Sequence, residues 1–299
     1  MILTVTLNMA LDVTYEVPAV DWDGVNRVGG VHRRAGGKGV NVARVLAALG
    51  QEVLVTGLAG GPTGRAIEAD LRAAELPSAV FAIEGDSRTT LAVRETGGAA
   101  RTALFNEPGP EVAADELAAF TRHYAALAAR ADVVVLSGSL PRGVPADFYA
   151  TLSALVPAPV IVDADGDPLR HAPKGRPSVV KPNAEELARA VPGPPDRGAE
   201  VLRGEGAESV VVSLGAGGLL AVTGEGTFRA RMPYTVRGNP TGAGDSLVAG
   251  LALGLVEAAP WPERLRRAAA LGAAAVAAPV AGDFDRGVYD DIHPQIVIT

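Results

Sequence analysis

The sequence predicts an α/β protein: a doubly wound, mostly parallel sheet with helices on both faces, plus a small β-sheet lid. Three observations carry this expectation. Short runs rich in Val, Ile and Leu recur at 2–7, 52–58, 132–136, 160–163, 178–181 and 209–214. They are nearly continuous in apolarity, as strands buried on both faces of a parallel sheet are. Helical patterns fall between them at 39–49, 64–74, 111–129, 146–155 and 184–190, the alternation a doubly wound sheet needs. Two segments break the alternation. Residues 13–34 and 80–105 carry strand-like runs with polar alternation, such as 89–94 and 101–105. They read as a lid assembled from discontinuous sequence.

The last third differs again. Gly215 to Gly218 joins two strand-like runs, and two Ala-rich helices are expected at 242–257 and 262–278. No Ser/Gly linker divides the chain, so residues 1–299 are expected to form a single domain.

Composition narrows the function. A hydrophobic content of 48% supports a sizeable core, and a net charge of −7 argues against a broad nucleic-acid footprint. A small anionic substrate stays compatible, because a few local cations suffice. The absence of cysteine excludes disulfides, thiol catalysis and Cys-ligated zinc. The N-terminus lacks the basic start and long apolar run of a signal peptide. The apolar stretch at 267–280 is too short and too Ala-rich to span a bilayer. A cytoplasmic protein without membrane partners is therefore expected. The four histidines show no metal-ligand spacing.

The chemistry concentrates in Asn239-Pro240-Thr241-Gly242-Ala243-Gly244-Asp245-Ser246, which opens an apolar helix. Small residues let backbone approach a phosphate. Free N–H groups and the positive dipole end at a helix start favour anionic oxygens. A carboxylate one turn in, Asp245, can accept the proton of an attacking hydroxyl. Ordinary helix capping would use the same residue types, so this segment needs a companion.

The companion is Gly36-Gly37-Lys38-Gly39-Val40-Asn41-Val42-Ala43, which opens another helix about 200 residues earlier. Together the two resemble the paired signatures of the ribokinase, or PfkB, family of carbohydrate kinases. Further segments strengthen the likeness: Thr6-Leu7-Asn8-Met9-Ala10-Leu11-Asp12, Phe105-Asn106-Glu107-Pro108-Gly109-Pro110, Ser137-Gly138-Ser139-Leu140-Pro141, Lys181-Pro182-Asn183-Ala184-Glu185-Glu186-Leu187 and Ser213-Leu214-Gly215-Ala216. They are similar to the branch holding 1-phosphofructokinase, tagatose-6-phosphate kinase and the minor 6-phosphofructokinase. The likeness runs in order from about residue 4 to residue 250.

The resemblance implies a ribokinase-like fold and a set of roles. Asp245 takes the catalytic base, with Gly242, Ala243 and Gly244 as the anion hole. Asp12, Gly36, Gly37 and Asn41 match sugar-contacting positions, and Asn106 and Ser139 lie in matching substrate segments. Lys38, Arg88 and Arg27 are the candidates for the substrate phosphate, since Arg forks and Lys point charges suit phosphate oxygens. Thr90 departs from the branch, which has Asn there. Asn183 and Glu186 match an Asn-x-x-Glu motif that helps hold Mg²⁺ with the nucleotide, partly through water; the pair also reads as a helix capping box. Lys181, Ser213, Gly215 and Gly218 fall on the nucleotide side.

A Walker P-loop is absent, and Gly215-Ala216-Gly217-Gly218 precedes a strand-like run rather than the helix a dinucleotide fingerprint requires. The resemblance implies ATP and Mg²⁺ as cofactors and a ketose monophosphate as substrate. Fructose 1-phosphate comes first, with tagatose 6-phosphate or fructose 6-phosphate as alternatives within the family. A non-catalytic sugar-phosphate or nucleotide-binding regulator is the alternative of another class; the intact base and glycines argue against it. Related kinases pack two lids together, so a homodimer is expected.

Overall fold

The computed structural model describes residues 1–97 and 101–299. The chain runs β1 (Ile2–Thr6), β2 (Ala10–Val17), β3 (Gly30–Gly36), α1 (Lys38–Ala48), β4 (Val53–Gly60), α2 (Gly61–Ala73), β5 (Phe81–Ile83), β6 (Arg88–Glu95), β7 (Thr102–Asn106) and α3 (Ala114–Ala128). It continues through β8 (Val133–Ser137), α4 (Phe148–Ala154), β9 (Val160–Asp163), α5 (Gly166–His171), β10 (Val179–Val180), α6 (Ala184–Ala190), α7 (Pro195–Gly204) and β11 (Val210–Ser213). It ends with β12 (Leu219–Thr223), β13 (Gly226–Arg231), α8 (Ala243–Val256), α9 (Trp261–Val276), α10 (Arg286–Ile292) and β14 (Val297–Ile298).

The large sheet has the order β14-β13-β12-β11-β10-β9-β8-β1-β4-β5. From β5 to β11 every neighbour is parallel, and the pairings from β11 through β14 are antiparallel. Alternate strand residues face opposite sides, and both sides are buried. Ile2, Val133, Val135 and Ile161 pack with α1, α2, α8 and α9. Leu3, Val5, Val134, Leu136 and Val162 pack with α3, α4, α6 and α7. That two-sided burial is why these strands read as unbroken apolar runs.

The small sheet has the order β3-β2-β6-β7. Its strands β2 and β6 are parallel, with Asp12 opposite Thr90. Its segments differ from the expected 13–34 and 80–105. Strand β2 already starts at Ala10, which pairs with both Gly36 and Arg88. Phe81 and Ile83 instead join the edge of the large sheet beside β4. Phe81 stacks edge-on against Phe120 of α3 at 6.0 Å, so burial draws it to the main core. Residues 98–100, inside the expected second segment, lie outside the described residues.

The parallel strands all end on one edge of the large sheet. Crevices at the carboxyl ends of such strands are where open α/β sheets bind ligands. Helix α8 reaches that edge because it packs closely on α9. A Cβ at Gly250 would lie 2.7 Å from Ala268 Cα and 2.9 Å from its backbone nitrogen. Backbone cannot give way as a flexible side chain does. Gly250→Ala is therefore expected to destabilise the protein by about 1–3 kcal/mol, the usual cost of overpacking. A urea or guanidinium unfolding curve measures this; an unchanged midpoint would show that the two helices separate freely.

Candidate active site

Helix α8 begins from Gly242, whose φ of 84° lies in the left-handed region where a side chain is strained. This lets the chain turn sharply into the helix; the Ala243 N–H donates back to Pro240 O at 3.1 Å, and those of Gly242 and Gly244 are the ones left for an anion among the described residues. Asp245 stands in the first turn and is 6% exposed. Its Oδ2 accepts a 2.8 Å hydrogen bond from Asn41 Nδ2 of α1. Burial, then the nearby charge of Asp163, pushes its pKa up to about 7; Asn41, Lys38 and Lys181 pull the other way.

Asp163, at the end of β9, has no exposed surface. Its Oδ1 meets Lys181 Nζ at 3.1 Å and Lys38 Nζ at 3.4 Å, and its Oδ2 accepts from Ser137 Oγ at 3.3 Å. Burial alone would raise its pKa, but the two ammonium groups outweigh that and hold it below the usual carboxylate value. The same attraction, with smaller help from Asp245 and Glu186, holds Lys38 above the ordinary lysine value despite burial. Lys38 is thus committed to Asp163 and stands near Asp245. It begins α1 directly after Gly37, whose φ of 111° makes the turn out of β3.

The other expected sugar-side residues gather where the small sheet meets β1 and β8. A Cβ on Gly36 would collide with the Asp12 carboxylate, so glycine is required for that close approach. Burial lifts the Asp12 pKa to about 6, opposed by Arg88, by a hydrogen bond from Thr90 and by Arg34 and Arg44. Thr90, which departs from the expected Asn, therefore contributes its hydroxyl to Asp12. Arg88 Nε donates to Asn8 O at 3.2 Å and its Nη1 to Glu107 O at 3.4 Å. Asn8 Nδ2 donates to Ser139 Oγ at 3.1 Å and to Pro108 O at 3.3 Å. Asn106 pairs with Thr90 at the end of β7. Arg27 lies on the exposed loop between β2 and β3.

On the other side of Asp245 lies a cleft of about 560 Å³. Gly215 and Gly218 form its turn, Met232 and Val236 one wall, and Leu247 and Ala273 the helical wall. Ser213, Ala243 and Gly244 lie at its inner end. Ser213 bridges to Asn183, which brings the start of α6 alongside. There Asn183 Oδ1 accepts from Glu186 N and Glu186 Oε2 accepts from Asn183 N, each at 2.8 Å. The capping-box reading of this pair is therefore realised.

Among the described residues no three His, Asp or Glu side chains converge as a metal cage. Glu186, close enough to Lys38 to raise its pKa, offers hard carboxylate oxygen beside the lysine cluster. One such carboxylate fits Mg²⁺, which keeps several waters and takes other ligands from phosphates.

Asp163 and Asn8 were missed as site residues by sequence reasoning. Asp163 carried one signal, an acid closing the apolar run Val160-Ile161-Val162. Asn8 lay inside a quoted motif, but nothing in the residue order showed that it joins Arg88 to Ser139.

The pfkB family carbohydrate kinase model matches residues 6–284. The chain is similar to phosphofructokinase-2 from Escherichia coli in complex with potassium, at 30% identity over 98% of each chain and a TM-score of 0.91. The same Escherichia coli protein in complex with fructose-6-phosphate gives a TM-score of 0.88. A possible 1-phosphofructokinase from Thermotoga maritima is 26% identical over 100% of this chain and 98% of that one, with a TM-score of 0.88. Ribokinase from Arabidopsis thaliana, complexed with ribose and ATP, shares the fold at 19% identity and a TM-score of 0.74 over 98% of each chain. With a family match over nearly its whole length, the chain belongs to the pfkB family of carbohydrate kinases.

Proposed function

We propose that the protein transfers the γ-phosphoryl group of ATP to a ketose monophosphate, with fructose 1-phosphate as the preferred acceptor. The observation that carries this reading is the position of Asp245. It stands in the first turn of α8, next to Ala243 and Gly244 that line the apolar cleft, and it is bonded to Asn41 of α1, the helix that leads from Gly36 and its contact with Asp12. ATP occupies the cleft, with its terminal phosphate against the N–H groups of Gly242 and Gly244; that of Ala243, the third expected member, is taken by Pro240 O.

The acceptor hydroxyl attacks the γ-phosphorus. The new P–O bond forms as the bond to the bridging oxygen breaks, and ADP leaves with that electron pair. The hydroxyl proton passes to Asp245, and Asn41 holds the receiving carboxylate in place. Lys38 and Lys181 supply positive charge where phosphoryl oxygens gather. Asp12 accepts sugar hydroxyl protons in hydrogen bonds, and Arg88 meets the phosphate the sugar already carries. Asn106 and Ser139 border the sugar. Asn183 and Glu186 would hold Mg²⁺ through water, and the ion would neutralise phosphate charge when bound. The small sheet acts as a lid on one kinase domain, excluding water that competes as acceptor.

The test is an ADP-release assay with fructose 1-phosphate, fructose 6-phosphate and tagatose 6-phosphate side by side. The highest kcat/KM is expected for fructose 1-phosphate. The likeness to a protein solved with fructose-6-phosphate favours that sugar as the second reading. A higher kcat/KM with either 6-phosphate reassigns the acceptor, and no turnover with all three removes the kinase reading.

Asp245→Asn separates catalysis from stability. Turnover should fall about 10²–10⁴-fold, the contribution of a positioned general base. In the parent enzyme kcat/KM should rise with pH through about 7, as Asp245 loses its proton. Stability has the opposite sign. Between the unfolded value of 3.8 and the folded value near 7, the native state holds a proton that the unfolded chain has released. Raising the pH through 7 therefore weakens the parent fold. Asn removes that loss, so the variant should be more stable at pH 8, by at most about 4 kcal/mol at ~1.4 per unit. The gain should vanish near pH 4. Thermal melts across this range check it; equal melting at pH 8 would mean that Asp245 is not desolvated.

The lid also supports a homodimer. Trp22 is 74% exposed, Val25 81%, Leu104 55% and Phe105 52%, all in the small sheet or its loop. Exposed large apolar side chains on the lid favour association, and a second copy of the same lid is the occupant proposed. Light scattering over a dilution series should give a dimer that Trp22→Asp converts to monomer. A fully active parent monomer at every concentration would remove the dimer.

A further inference from the structure

Strand β3 is the outer strand of the small sheet and the segment that runs straight into α1. Its penultimate residue, Ala35, is fully buried and lies opposite Leu11 of β2. An outer strand has one row of backbone groups with no neighbouring strand to meet, and buried groups of this kind need partners. At Ala35 two charged side chains of the main body supply them. The Ala35 N–H donates to Asp70 Oδ2 at 2.8 Å, and the Ala35 C=O accepts from Arg44 Nη2 at 3.3 Å. The same Nη2 donates to Asp70 Oδ2 at 2.7 Å and closes the cluster. One ion pair, with partners on α1 and α2, thus stands in for a missing strand at the root of the lid.

Its neighbours tie it to both halves of the site. Gly36, next in the chain, packs on the Asp12 carboxylate. Arg44 lies three residues after Asn41 and so shares its helix face. Both side chains abut Gly282, where a Cβ would lie 3.1 Å from Asn41 Oδ1 and 3.2 Å from Arg44 Cδ. As a stabiliser the pair is poor. The Arg44 side chain is only 10% exposed, its Nε has no partner, and burial and the charge of Arg34 both disfavour its ionised form. An ion pair taken so far out of water adds little net stability over an apolar substitute. It does fix direction, because a planar guanidinium and a carboxylate bind only in set geometries.

We infer that Arg44 and Asp70 are positioning residues: they clamp Ala35 at the lid root, so that Asp12 on the sugar side and Asn41 behind the catalytic acid keep a fixed separation. This rests on the kinase reading above. Neither residue touches substrate. Their effect reaches the reaction through the placement of the strand that pairs with Asp12.

The experiment compares the parent enzyme with Asp70→Asn and Arg44→Lys. Asp70→Asn keeps an acceptor but loses the charge; Arg44→Lys keeps the charge but loses the fork. KM for fructose 1-phosphate is expected to rise about 5–20-fold in both, with kcat and KM for ATP within about twofold. Amide exchange at Ala35 should quicken in both, read on the peptide covering 30–37. An unchanged KM for the sugar phosphate, or equal rises in both KM values, would overturn the inference. If Asp70→Asn does not fold, Arg44→Lys decides alone. If the parent turns over none of the sugar phosphates, the kinase reading fails, and Ala35 exchange then decides the clamp: unaltered exchange in the variants sinks it.

Discussion

A fully buried carboxylate, that of Asp163, holds the charges of the site in order. Two lysines from distant parts of the chain, Lys38 and Lys181, both reach its Oδ1. Removing either partner would leave an uncompensated charge in the interior, which is far costlier than losing a surface pair. The three groups therefore fix one another. That fixes the start of α1, where Lys38 stands, relative to the ends of β9 and β10. Asn41 follows one turn along α1 and bonds the carboxylate of Asp245, so α8 is tied to the same point. The negative charge of Asp163 also helps keep Asp245 protonated at lower pH, against the pull of the two lysines. One side chain thus links the ordering of the cations to the basicity of the acid.

The rest of the scaffold can be seen as what such an arrangement demands. A buried charge cluster needs rigid walls, and these are strand ends and helix starts rather than loops. Close helix contact at Gly250 and Ala268 brings α8 to the sheet, and Gly242 lets the chain turn sharply into it there. The apolar cleft on one side of Asp245 and the polar group around Asp12 on the other differ in kind. The first suits a flat, weakly polar body with phosphates at one end. The second suits hydroxyls and an anion.

Much of this was legible in the residues, for physical reasons that differ from element to element. Strands β1, β4, β8 and β9 stood out because both their faces are buried, so most of their side chains are apolar. Even β10, two residues long, showed through Val179 and Val180. Helices α5, α7 and α10 went unnoticed. Each is short, and the first two start beside proline or glycine and bury few side chains. Strand β14 pairs at the sheet's antiparallel edge and is largely exposed, so it leaves no apolar run. The expected start of the small sheet at residue 13 missed Ala10, Leu11 and Asp12, which open a new strand with only three residues between it and β1.

Within the site, the residue types were readable and their partners were not. Asn41 and Asp245 are 204 positions apart, and no local pattern says that one holds the other. Lys38 was a candidate for the sugar's own phosphate, because a Lys point charge suits phosphate oxygens. Its partner Asp163 is 125 positions away, and that distance hid the ion pair which turns Lys38 toward Asp245. Asp163 itself looked like an ordinary acid ending a strand. A charge next to three buried aliphatic residues is nevertheless a demand for a partner, because an isolated carboxylate there would be neutralised or unfold the strand. Lys181, at the end of the neighbouring strand in a parallel sheet, is placed to meet that demand. Adjacent parallel strands that end in opposite charges are thus a readable sign, once the strand order is known.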